Sequence, residues 1–354
     1  MIRRVQLNIN YANTVKKLKL NQFCNEAHRV VNLFIDKLWV NKNFSSKFID
    51  FKVDTWLSAR MQQCLGKQAL EIVKSQRKKK KKTKPIFIKK TFNLDSRFVK
   101  IEFDANSFDI WITLSSIGNK LKIILPSKKH KHFYKFANWQ MKNSIRLRCK
   151  NSCYFIDVYF EKEEPPKKTA GTNLGLDIGY KKLVATSDGK IYGKELEAIY
   201  KKISRKQQGS KAFNRALSER DNLTNQVIRQ IPFNEVKTLV VEDLKNLKRN
   251  TKGKLRKSFI NKMQRWRYSD VLNKLSMLAE NVGFTLLKIP PQYTSQRCSS
   301  CGVIRKANRK GEFYKCACGL ELDADINAAK NILHLGVYSP QVSYSKTYKC
   351  KGLL

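Results

Sequence analysis

A chain of 354 residues with 42% apolar residues can bury sizeable cores, so the composition excludes a disordered tail, and its 72 Lys and Arg against 28 Asp and Glu leave a net charge of +44. Length alone suggests two or three folding units. No apolar run approaches the roughly 18–20 residues that span a bilayer, and the alternating start, residues 1–10, is unlike a secretory signal.

A surplus that large repels itself in a compact fold unless a polyanion neutralises it. The basic residues run through the whole chain and are not confined to one amphipathic helix or juxtamembrane cluster. Nucleic acid therefore fits better as a partner than a membrane surface. Each phosphate contact releases counterion, so strong salt dependence is expected.

In chain order, Val5, Leu7 and Ile9 alternate as in a first strand. Over residues 20–39 the period changes. Phe23, Ala27, Val30, Val31, Phe34 and Leu38 recur at helical spacing. A second helix is expected over about 53–73, ending in a basic run from Arg77 to Lys82 that reads as a solvated loop or a phosphate-gripping arm. The aromatic pair Trp39 and Trp56 could stack bases, although core packing is the simpler role. Alternation returns over about 97–161 (Val99, Ile101, Phe103; Tyr154, Ile156, Val158, Phe160), and the Glu and Pro residues at 163–166 make a linker.

The second half changes character. Residues 172–193 read as strands with a hairpin at Ser187-Asp188-Gly189-Lys190. A polar helical region follows over about 204–229. The apolar run 237–243 has the look of a buried central strand. A helix over about 259–281, a strand at 284–289 and a last helix at 326–333 complete the pattern.

Three acids stand at strand ends or a helix start. Asp177 lies on an apolar strand between small residues, Glu242 ends the run Leu239-Val240-Val241, and Asp325 opens the alanine-rich last helix. Phosphodiester hydrolysis with two divalent ions roughly 3.5–4 Å apart needs such a carboxylate cluster, and Mg²⁺ suits oxygen ligands. Each acid alone has a plainer role: a turn residue, a lysine partner, or, for Asp323 or Asp325, a helix N-cap. No Ser/His/Asp arrangement competes, and no phosphate-binding GxxxxGK[ST] loop supports ATP hydrolysis.

Nine cysteines are present, and four of them, Cys298, Cys301, Cys316 and Cys318, fall within 21 residues. Two pairs separated by fourteen residues supply four thiolates for a closed, structural zinc site. The second pair encloses one residue where a usual ribbon has two. Unbridged thiols or disulfides are the other readings.

The segments GLDIGYKKLVATSDG, LVVEDLKNL, YTSQRCSSCG, FYKCACG and DADINAAKNIL resemble, in order, the signatures of TnpB, the transposon-encoded RNA-guided nucleases related to type V CRISPR effectors. The likeness is close from about 173 to 333 and looser before that. One departure is the stretch from Arg220 to Asn225, where many relatives carry a histidine after the Asp.

The resemblance implies a mixed α/β, two-lobed protein. A wedge-like antiparallel β-barrel (1–15 and 90–165) would hold a helical recognition insert (16–89). An RNase H-like RuvC domain (170–297 and 319–335) would carry the zinc knuckle (298–318), leaving a tail at 336–354. It also implies Asp177, Glu242 and Asp325 as the Mg²⁺-binding catalytic triad, with Asp325 chosen over Asp323 because it precedes the x-Asn-Ala-Ala segment. The implied partners are a guide RNA from the transposon end and target DNA, both duplex and displaced single strand, with base pairing reading the sequence. No membrane partner is expected, the oligomeric state is open, and the expected place is the cytoplasm, at the nucleoid. Two rival functions remain at this level: a guided repressor that does not cut, and an unguided zinc-ribbon DNA-binding helper of transposition.

Overall fold

The computed structural model describes residues 1–41, 49, 51–80, 82–104, 107–116, 121–244 and 257–338. Two compact units divide between Glu163 and Glu164.

The first unit packs two helices on antiparallel strands. Strand β1 (Ile2–Asn8) precedes helix α1 (Thr14–Val40), which starts where the Asn13 side chain accepts from the Lys16 amide. Its buried face (Phe23, Ala27, Val30, Val31, Phe34, Leu38) is the predicted one. Helix α2 (Ala59–Arg77) starts later than the periodicity suggests, because Ser58 caps it by accepting from Met61, and it runs on to Arg77. There the guanidinium covers the Trp39 ring at 5.5 Å and donates to the carbonyls of Leu38 and Trp39, tying off the end of α1. Trp39 thus belongs to the core, whereas Trp56 lies in the segment before α2 and is 42% exposed. Of the basic run, Arg77 ends the helix, Lys78–Lys80 and Lys82 are solvent-facing, and Lys81 lies outside the described residues.

The remaining strands of this unit are β2 (Thr91–Leu94), β3 (Val99–Phe103), β4 (Ile110–Ser115), β5 (Lys122–Ser127), β6 (Gln140–Met141), β7 (Ile145–Lys150) and β8 (Cys153–Glu161), with one short helical turn, α3 (Lys131–Tyr134). The expected closed barrel is not found among the described residues. The strands form two sheets, β1-β8-β7-β2 with β6 on β8, and a separate meander β3-β4-β5. One reason is visible at the edge. Gln68 of α2 donates to the Thr91 carbonyl (2.7 Å) and accepts from the Asn93 amide (3.2 Å), so a side chain satisfies the outer groups of β2 in place of another strand.

The second unit is built on a five-stranded mixed sheet. Its strands are β9 (Thr172–Ile178), β10 (Val184–Thr186), β11 (Ile191–Tyr192), β12 (Val236–Glu242) and β13 (Thr285–Ile289), in the order β11-β10-β9-β12-β13. Strands β10 and β11 are antiparallel hairpin partners, while β12 runs parallel to β9 and β13 parallel to β12. Among the described residues the α-helices of this unit are α4 (Leu196–Ser204), α5 (Lys211–Arg229), α6 (Lys257–Arg265), α7 (Tyr268–Val282) and α8 (Ala324–Leu333). Two predicted helices are therefore divided or displaced. The polar region is α5, which starts only at Lys211 because Ser210 caps it, and α4 is a separate helix before it that the sequence pattern did not show. The long helix after residue 256 breaks at Trp266 and Arg267, where the Trp266 indole donates to the Gly179 carbonyl at 2.9 Å. Arg220 of α5, 3% exposed, holds the end of α6 through the Arg265 carbonyl.

Gly175 is needed where α8 crosses β9. A Cβ there would lie 2.3 Å from the Ala329 carbonyl oxygen and 2.8 Å from Leu333, so only glycine admits the helix this close. A three-stranded sheet of β14 (Arg309–Lys310), β15 (Phe313–Lys315) and β16 (Glu321–Asp323) leads into α8. After it a single π turn covers His334–Tyr338, and the rest of the expected tail lies outside the described residues. No helix among the described residues is long and apolar enough to cross a membrane.

Candidate functional site

Asp177 is the sixth residue of β9, and Glu242 is the last of the neighbouring parallel strand β12. Val241 pairs with Leu176, so the next residues, Glu242 and Asp177, stand side by side at the carboxyl ends of the central strands. That edge is where open α/β sheets place their ligands. Asp325 enters from α8, which packs on β9 through the Gly175 contact. The two candidates on that helix separate cleanly. Asp323 is the N-cap and accepts from the Asp325 and Ile326 amides, which leaves Asp325 free to face the strands.

All three acidic residues are half-buried. Burial, and then the charges of Glu242 and Asp325, push the Asp177 carboxyl well above the usual range. Burial also raises Glu242, against a hydrogen bond from Thr294 (2.5 Å) that favours its anion. Asp325 is held by two cations: Arg309 at 2.8 Å on one oxygen and Lys182 at 3.6 Å on the other. Lys182 is 9% exposed and also meets Asp323 (2.5 Å) and Glu312 (3.1 Å). Burial opposes its charge, but these hydrogen bonds keep its pKa above the ordinary lysine value. As a donor set the three acids suit a hard divalent cation, which would relieve the crowding of buried negative charge. They stand wider than a closed ligand set, for among the described residues only the cysteines bring three or more ligand atoms within 4.8 Å of one another.

The cysteine quartet is compact. The sulfurs of Cys298 and Cys318 are 3.6 Å apart, as are those of Cys301 and Cys316. Zinc with Zn–S bonds of about 2.3 Å in a tetrahedron needs sulfurs about 3.8 Å apart, so the quartet fits zinc. Each pair is followed by a glycine at positive φ, Gly302 at +78° and Gly319 at +92°, which turns the chain back beneath its sulfurs. The short second pair therefore still reaches. A backbone hydrogen bond from Val303 pulls the Cys301 thiol down, but desolvation and the three neighbouring sulfurs outweigh it and push it up to about 11. A backbone hydrogen bond from Leu320, joined by the same sulfurs, brings Cys318 down to about 7.

Sequence reasoning missed the residues that tie these two clusters together. Asn327 and Asn331, one helical turn apart on α8 and almost fully buried, both donate to the Arg297 carbonyl (2.8 and 2.7 Å). Asn331 also donates to the carbonyl of Thr294, the residue that holds Glu242. Two asparagines at i and i+4 on the alanine face of a helix were the available signal, since buried amides need partners.

Comparison with known proteins points one way. The family described as "Cas12f1-like, TNB domain" matches residues 268–332. A CRISPR-associated endodeoxyribonuclease Cas12f1 of Sulfoacidibacillus thermotolerans is 53% identical over 72 residues, 20% of this chain and 17% of that one. The "Putative RNA-guided DNA endonuclease InsQ" of Escherichia coli (strain K12) is 29% identical over 218 residues, 52% of this chain and 54% of that one. A Cas12f2 of a Micrarchaeota archaeon is 26% identical over 307 residues, covering 72% and 56%. The chain thus spans about half, or less, of the length of these relatives. In fold it is similar to a chain of the cryo-EM structure of the Cas12f1-sgRNA-target DNA complex, with a TM-score of 0.57 at 14% identity over 91% of this chain and 83% of that one. By matched segment, by relatives and by fold, the chain is similar to the Cas12f and InsQ proteins, in keeping with the resemblance its sequence bears to TnpB.

Proposed function

We propose that the chain is a transposon-encoded, RNA-guided DNA endonuclease whose RuvC-type site is Asp177, Glu242 and Asp325. The observation that carries this reading is the meeting of a β9 acid, a β12 acid and an α8 acid at the carboxyl edge of a sheet ordered β11-β10-β9-β12-β13, the strand order of an RNase H-like fold. The names of its relatives and its charge of +44 support nucleic-acid partners, a guide RNA and a target DNA. Zinc at the cysteines is structural, because four protein thiolates leave no open position.

In this reading Mg²⁺, when bound, supplies an activated water and charge compensation for the leaving oxygen. The chain supplies the rest. Asp177 and Glu242 present their carboxylates from adjacent rigid strands, so their spacing is set by the sheet. Thr294 donates to one Glu242 oxygen and leaves the other free to bind. Arg309 and Lys182 balance the surplus negative charge beside Asp325, where a phosphodiester would otherwise be repelled.

The test is purification with a co-expressed transcript, sequencing of the bound RNA, and cleavage of a guide-matched plasmid library with Mg²⁺. A discrete RNA and guide-dependent cutting support the reading. Bound RNA with DNA binding but no cutting makes the chain a repressor, and no discrete RNA leaves an unguided zinc-ribbon binder.

A further inference from the structure

We infer that Lys182 is a positioning residue of the acidic site, a buried ammonium pinned by Asp323 and Glu312 that sets where Asp325 stands. The inference rests on the reading of Asp177, Glu242 and Asp325 as a metal-binding triad.

Lysine is among the residues least often buried, and a buried one needs paired anions. Lys182 sits in the tight turn after β9, only five residues beyond Asp177. That turn is closed by the Gly179 amide on the Leu183 carbonyl at 3.1 Å, and a Cβ at Gly179 would lie 2.5 Å from the Lys182 carbonyl oxygen. The backbone is thus shaped to deliver this side chain inward. Its ammonium then meets three acids from two further places in the chain. Asp323, at 2.5 Å, is the N-cap of α8; Glu312, at 3.1 Å, lies at the turn between β14 and β15; Asp325 is farthest, at 3.6 Å.

The ranking of distances defines the role. Lys182 is anchored on the two acids outside the triad and reaches Asp325 by its longest ion pair. Asp323 is itself locked, because its other oxygen caps the helix. The lysine therefore cannot drift, and it fixes one oxygen of Asp325 while Arg309 holds the other. Two consequences oppose each other. A fixed positive charge 3.6 Å from a ligand oxygen weakens cation binding. The same contact holds the carboxylate in one orientation, which speeds the step that depends on it.

This opposition gives the test a signature that a merely structural lysine would not produce. Mn²⁺ binding to the purified guide-bound protein is followed by electron paramagnetic resonance, alongside Mn²⁺-dependent cleavage, for wild type, Lys182→Met, Lys182→Arg and Asp177→Ala. Lys182→Met should tighten Mn²⁺ binding at the Asp177-dependent site by about tenfold and slow saturated cleavage by about tenfold or more, with Lys182→Arg restoring both. Unchanged Mn²⁺ affinity in a folded Lys182→Met overturns the inference. Joint loss of affinity and rate that Lys182→Arg does not rescue overturns it too. If wild type binds Mn²⁺ at that site without cutting, the nuclease reading falls, and the Mn²⁺ affinities alone still decide the role of Lys182. No Asp177-dependent Mn²⁺ site in wild type removes both.

Discussion

Arg309, on β14 in the segment between the two cysteine pairs, donates to Asp325 at 2.8 Å, so the stretch that links the thiolates also supplies a cation to the acidic cluster. The order of the zinc-fitting quartet and the charge state of the acidic site are thereby physically linked. Loosening the sheet frees Arg309 from Asp325 without touching any carboxylate.

Zinc loading should accordingly be coupled to protons and to stability. With the Cys301 thiol up at about 11, that group is protonated at pH 7.5 and must lose its proton to bind. Cys318, down at about 7, is already largely ionised there. Calorimetric titration of the metal-free protein with Zn²⁺, in buffers of differing ionisation heat, should show at least one proton released per zinc. Apparent affinity should rise with pH, and Cys316→Ser should abolish stoichiometric zinc. Zinc binding with no proton release would contradict the assignment.

Thr294 gives a prediction confined to activity. Its hydroxyl is buried against Glu242, and Thr294→Val keeps the shape while removing the donor. Supports of this kind beside metal ligands are worth about tenfold to a hundredfold. Thr294→Val should slow cleavage by about that factor with an unchanged melting temperature, and Thr294→Ser should recover most of it.

Thr294 and Lys182 also show where sequence reasoning stops. Their partners lie 52 and 141 residues away, and nothing local to either residue reports such a distance. Individual strands and helices were legible because buried periodicity is a local property, as Val5, Leu7 and the face of α1 illustrate. The break at Trp266 was not, because it follows a hydrogen bond to Gly179, 87 residues away. Barrel closure failed as an expectation for the same reason: strand pairing is non-local, and Gln68 satisfies the edge that a further strand would have used. Between Asp323 and Asp325 the residues alone left the cap open; the helix start decides it, one carboxylate turned to the amides and the other toward the strands.

Close packing at Gly175 makes a stability prediction. Gly175→Ala places a methyl 2.3 Å from a backbone oxygen, so α8 must move. Overpacking of this kind costs about 3 kcal/mol. Thermal melts should show a clear drop in the second unit, and cleavage should fall because Asp325 travels with the helix. An unchanged melt would mean that the helix does not pack this tightly on β9.

Charge crowding at Asp177 predicts a pH effect in the metal-free protein. Its pKa is raised by burial first and by Glu242 and Asp325 next, so the unfolded chain gives up this proton at lower pH than the folded one. The contribution to stability is fully present below the ordinary carboxylate range, about pH 4, and is lost as pH rises through the elevated folded value. Asp177→Asn should flatten this decline in denaturant titrations above pH 4, and added Mg²⁺ should counter it in wild type only. A wild-type curve as flat as that of Asp177→Asn would contradict the crowding.

The central claim is that three particular carboxylates, and not the neighbouring cap, perform the cleavage. The most direct measurement is guide-dependent, Mg²⁺-dependent cutting by Asp177→Asn, Glu242→Gln, Asp325→Asn and Asp323→Asn, each with guide-directed DNA binding measured in parallel. The account predicts that the first three bind without cutting, whereas Asp323→Asn, whose asparagine still caps α8, keeps measurable cleavage. Cleavage that survives in Asp325→Asn but vanishes in Asp323→Asn would contradict it.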